Sequence, residues 1–102
     1  MSANSDKLST LFDRIPRRHT PDNVKEMYSI LDEYEDVLRE IEAEPAYEKE
    51  VAVFFDELDP IRETVKNSSL NKHSKQAKDK LFDEASGALK DTMEGLMQIY
   101  HK

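Results

Sequence analysis

The sequence predicts an all-α protein: an antiparallel up-down helical bundle of three long helices plus a short N-terminal helix. Three observations carry that expectation. Apolar residues recur every three or four positions over most of the chain, the period of an amphipathic helix. Helix breakers are scarce, with two Gly and four Pro in 102 residues. The rest is rich in Leu, Glu, Lys, Asp and Ala, which suits helices better than sheets. At this length one domain is expected, residues 1–102, with 1–6 as a frayed N-terminus. Charged residues make up 36% of the chain, a level also met in disordered proteins, but a disordered chain has no reason to keep a hydrophobic period.

The first helix is short. Lys7, Leu8, Leu11, Phe12 and Ile15 share one face, Ser5 is the expected cap, and Pro16 ends the element. Arg17-Arg18-His19 then makes a basic corner. Thr20-Pro21-Asp22 restarts the helix, with Thr as N-cap, Pro in the first turn and Asp at the positive end of the helix dipole. The helix that follows is the best defined. Val24, Met27, Leu31, Tyr34, Leu38 and Ile41 form an unbroken heptad seam, widened at its edges by Tyr28, Ile30 and Val37.

Glu44-Pro45 marks the next boundary. A third helix carries Tyr47, Val51, Phe54, Leu58, Ile61 and Val65, again in heptad phase. That phase runs through Asp59-Pro60 unchanged, so one helix kinked near Pro60 is expected, with two helices and a tight break as the close alternative. The polar run from Asn67 to Ser74 is a loop, and Ser69 or Ser74 caps a last helix reaching about Tyr100. Its large stripe is Phe82, Leu89, Met93, Leu96 and Tyr100; beside it lie Ala85, Ala88, Thr92 and Gly95. Small residues there, and Gly87, are read as allowing close approach of a neighbouring backbone.

Composition and charge exclude several functions. Without cysteine there is neither a disulfide framework nor thiolate chemistry. The N-terminus has no charged leader followed by an apolar run, and no apolar stretch approaches the roughly 20 residues of a membrane span. A cytoplasmic location is therefore expected. The net charge of −7 is unevenly spread. Residues 26–63 hold fourteen acidic against three basic groups, between two slightly basic ends. Such a segment repels phosphate backbones and anionic lipid, so neither direct nucleic-acid binding nor membrane association is expected. It attracts basic partners.

Enzymatic chemistry finds little support. None of His19, His73 and His101 has a Glu three residues before it, as helical di-metal sites require, so no metal or other cofactor is expected. His73-Ser74-Lys75 invites comparison with histidine phosphotransfer bundles, but no Gly follows and the histidine falls in a loop. Pro16 separates Arg14 from His19, which removes a nuclease-like pair, and there is no Gly-rich phosphate loop.

Protein recognition remains: a non-enzymatic interaction module, acting as an adaptor, a chaperone-like factor or an inhibitor. Its expected surface is an acidic outer face of Asp32, Glu33, Asp36 and Glu40, extended by Asp56 and Glu63, meeting a basic protein partner. The alternative is self-association. Val51-Ala52-Val53-Phe54-Phe55 is the one run of five consecutive apolar residues, and the seam accounts for Val51 and Phe54. Val53 and Phe55 are left either to a homodimer or other helix-binding interface, or to cover by the first helix.

Overall fold

The computed structural model describes residues 3–16, 18–70 and 72–100. Its elements are α1 (Ala3–Arg14), α2 (Pro21–Glu42), α3 (Glu48–Ser68) and α4 (Lys75–Ile99), with no strand among the described residues. The connections are short, so successive helices run antiparallel. The three long helices have 22, 21 and 25 residues, and the bundle extends 45 × 22 × 18 Å.

The caps explain the boundaries. Thr20 is extended at φ −139° and ψ 157°, and its Oγ1 accepts from the Asn23 N–H at 3.0 Å, with Pro21 opening α2. Of the two serines proposed for α4, Ser74 is the cap: its Oγ accepts from the Ala77 N–H at 3.2 Å. Helix α1 begins at Ala3, so Ser5 lies inside it rather than capping it. The helix so assigned includes residues 3–6 of the expected frayed N-terminus; Met1 and Ser2 lie outside the described residues. Helix α3 passes through Pro60 as one element, which decides against a break into two helices there. The Pro60 carbonyl accepts from the Thr64 hydroxyl at 2.9 Å.

The core is the two seams and the large stripe of α4. Met27, Leu31, Tyr34, Leu38, Ile41, Val51, Leu58, Val65, Phe82, Leu89, Met93 and Leu96 are all buried. Tyr47 sits one residue before α3 and closes one end, edge-on to Tyr100 at 5.2 Å between ring centroids.

Helix α1 occupies the corner between α2 and α4, while α3 packs on α2 and α4 from the other side. This placement explains why Ile30 and Val37, expected at the edges of the α2 stripe, are buried as fully as its centre. Both project toward the flank that α1 covers with Leu8, Leu11 and Ile15. The Ser86 hydroxyl donates to the Pro16 carbonyl at 2.8 Å, tying the α1–α2 connection to α4. Among the described residues α1 makes no approach to α3, so it does not cover Val53 and Phe55.

Packing around the glycines also differs from expectation. What approaches Gly95 is a side chain: a Cβ there would lie 3.2 Å from Phe54 Cε1. Around Gly87 there is open space, so close packing does not explain that glycine.

Candidate functional site

The 3.6-residue period sets the acidic face. With the α2 seam turned inward, Asp32, Glu33, Asp36 and Glu40 project outward, and all four are exposed. They are not bare charges, however. Asp32 Oδ1 accepts from Arg62 of α3 at 2.9 Å, and Glu33 Oε2 from Arg14 of α1 at 2.8 Å. Asp36 lies 3.6 Å from Arg39, and Glu40 lies 3.6 Å from Lys7. Helices α1 and α3 thus each bring cations onto α2.

Arg14 is the most engaged of these groups. Its Nε and Nη2 both donate to Glu26 Oε1, at 2.9 and 2.6 Å, while Nη1 reaches Glu33. Hydrogen bonding to Glu26, and then to Glu33, holds its pKa further up. The ladder along α1 is regular: Lys7 and Arg14, seven residues apart, face Glu40 and Glu33, also seven apart, in antiparallel order.

The carboxylates of α3 are different. Glu50, Asp56, Glu57, Asp59 and Glu63 are exposed and form no ion pair among the described residues. Arg62 is turned toward Asp32 and Glu35 of α2. The unneutralised negative charge of the middle segment therefore sits on α3 more than on α2. Sequence position does not reveal this, because Lys7, Arg14 and Arg62, which pair with α2 alongside its own Arg39, come from other elements.

Val53 and Phe55 are not brought together. Val53 is 57% exposed, opposite the α3 seam, and is the one exposed large hydrophobic residue among those described. Phe55 is half-buried and packs against the core. It shares a flank with Arg62, seven residues on, which reaches α2.

Two grooves flank the bundle. One, of about 380 Å³, runs between α1 and α2 and is lined by Lys7, Thr10, Leu11, Arg14, Glu33, Asp36 and Val37, with Asp6 at one end. The other, of about 420 Å³, lies between α3 and α4. Phe54, Pro60, Ile61, Ala88 and Gly95 give it apolar walls, and Glu57, Asp91 and Thr92 give it polar ones. The small stripe of α4 is the sequence signal for this second groove, where close helix packing is the expectation favoured over a ligand cleft. Beneath it the Tyr34 hydroxyl meets Thr92 Oγ1 at 3.2 Å, and both residues are buried. Burial pushes the Tyr34 phenol well up; the Thr92 hydrogen bond opposes this, and the nearby charge of Glu57 adds to it.

The histidines do not assemble into a site. His19 packs edge-on against Phe82 at 5.6 Å, and its Nε2 is buried without a hydrogen-bond partner. It is separate from Arg14, which is held by Glu26 and Glu33. His73 lies in the turn before α4, its N–H donating to the Leu70 carbonyl at 3.3 Å. Arg17, part of the expected basic corner, and His101 lie outside the described residues. Among the described residues no three His, Asp or Glu side chains group to hold a metal, and no helix is long and apolar enough to cross a membrane.

No family model, curated protein or solved structure matches this chain.

Proposed function

We propose that this chain is a non-enzymatic protein-interaction module that receives a basic partner on the acidic surface shared by α2 and α3. An adaptor, a chaperone-like factor and an inhibitor would all use such a surface, and a cytosolic setting accords with it. The observation that supports it best is the contrast between the two helices. Asp32, Glu33, Asp36 and Glu40 of α2 are met by cations from within the chain, whereas Asp56, Asp59 and Glu63 on the outer face of α3 are met by none among the described residues. Unmatched charge of one sign speeds encounter with an oppositely charged partner and selects against like-charged ones.

The contrast also decides how to test the idea. Reversing Glu33 and Glu40 would break the contacts to Arg14 and Lys7, so a loss of binding there would be confounded by loss of α1 docking. Asp56→Lys/Asp59→Lys/Glu63→Lys changes exposed groups with no such ties. With the partner captured from the native host and identified by mass spectrometry, this triple variant should bind more weakly and with a shallower salt dependence. Unchanged affinity would remove the acidic face from consideration. Self-association through Val53 receives less support, because a lone exposed valine is far from the roughly 1,000 Å² that a stable interface buries.

A further inference from the structure

We infer that the groove between α3 and α4 is a docking site for a basic amphipathic helix of a partner protein, distinct from the α2–α3 face. Its apolar floor is Phe54, Ile61, Ala88 and Gly95. A carboxylate stands on each wall, Glu57 on α3 and Asp91 on α4, and no Lys, Arg or His lines it. Both carboxylates are exposed and without an ion pair among the described residues. The occupant that complements an apolar floor between two unmatched anions carries an apolar stripe flanked by cations.

The chain contains its own example of this mode. Helix α1 seats Leu8, Leu11 and Ile15 in the core while Lys7 and Arg14 meet Glu40 and Glu33. The α1–α2 groove differs in carrying cations of its own: Arg14 holds Glu33, Lys7 meets Glu40 and Asp36 meets Arg39, so of its carboxylates only Asp6 is without an ion pair among the described residues. The α3–α4 groove has the acidic half of that arrangement without the basic half.

Dimensions agree. The α3 wall runs from Phe54 to Ile61 and the α4 wall from Ala88 to Gly95, each about 10 Å at 1.5 Å per residue, or two helical turns. Val53 lies one turn from Glu57 and two from Pro60, so it extends the α3 wall outward. Phe54 forms part of the floor by leaning over Gly95, a position without a side chain.

The test uses the full chain, labelled with nitrogen-15, and a designed helical peptide of about 18 residues with a leucine–alanine stripe and flanking lysines seven residues apart. The expected result is saturable shift changes centred on Phe54, Glu57, Ala88, Asp91 and Gly95. Replacing the peptide lysines by glutamate should abolish them. Glu57→Lys/Asp91→Lys should weaken binding about tenfold, because each attraction becomes a repulsion. The charge-matched control Asp13→Lys/Glu42→Lys, in the last turns of α1 and α2 where the helix dipole favours cations, should leave affinity within about twofold. Equal weakening by the two double variants overturns the inference, since attraction would then follow net charge alone. Shifts confined to Asp56, Asp59 and Glu63 also overturn it while supporting the α2–α3 face. Groove binding that survives the Asp56→Lys/Asp59→Lys/Glu63→Lys triple supports the groove independently of that face. Absence of any saturable shift overturns it outright.

Discussion

The buried pair beneath the α3–α4 groove offers the sharpest test of how the core is held. Tyr34 is fully buried and Thr92 is 4% exposed, and their hydroxyls meet at 3.2 Å. Thr92→Val keeps the shape but leaves the tyrosine hydroxyl without this partner and without water. The cost is about 1–3 kcal/mol, the desolvation penalty of an orphaned polar group. Tyr34→Phe strands the Thr92 hydroxyl instead, at about 1 kcal/mol. The double variant strands neither, so it should be less destabilised than the two single losses predict together, with a coupling of about 1–2 kcal/mol. Urea unfolding measures all four stabilities. Additive losses, within about 0.3 kcal/mol, would refute the claim that the two hydroxyls satisfy one another.

The same pair has a pH signature. Burial first, and the charge of Glu57 second, raise the folded-state pKa of Tyr34 above its ordinary value of 10.0. A group whose folded pKa is raised gives stability that is fully present below its unfolded pKa and lost as pH rises toward the folded one. The wild type should therefore lose stability above about pH 10 more steeply than Tyr34→Phe does. Parallel pH profiles would contradict the burial of the phenol.

Other expectations follow from particular contacts. Gly87→Ala should stabilise the chain by about 0.5–1 kcal/mol, because it lies mid-helix with open space around it. Gly95→Ala should bring no such gain, since the Phe54 ring must shift to admit a Cβ 3.2 Å away; equal shifts in the urea midpoints would deny that contact. Arg14→Ala should cost about 1 kcal/mol and speed amide exchange along α1, by removing hydrogen bonds to two carboxylates. Unchanged exchange there would show that apolar packing alone holds α1. Phe55→Asp should lose about 2 kcal/mol or more and Val53→Asp under about 0.5 kcal/mol, reflecting a half-buried and an exposed side chain. Thermal melts giving the reverse order would contradict their placement.

The helices were legible because they depend on local physics. The spacing of Val24, Met27, Leu31, Tyr34, Leu38 and Ile41 follows from 3.6 residues per turn, and the Thr20 cap needs only a hydroxyl three residues before a free N–H. The continuity of α3 through Pro60 was likewise visible in the unchanged phase. Which carboxylates the chain neutralises for itself was not visible. Arg14 reaches Glu26 and Glu33 across 12 and 19 residues, and Arg62 reaches Asp32 across 30. No local pattern encodes pairs so far apart.

By itself, then, the sequence determined the all-α class, the seams, the Thr20 cap and the acidity of the middle segment. Each is a property of neighbours within a turn or two. Only the tertiary structure decided that α1 fills the corner between α2 and α4, because the choice depends on which flank of the bundle has apolar surface left to bury. That choice buries Ile30 and Val37, brings Lys7 and Arg14 onto α2 and leaves Val53 in the open. It also leaves the unmatched carboxylates on α3 and α4, which is where the two proposed surfaces lie.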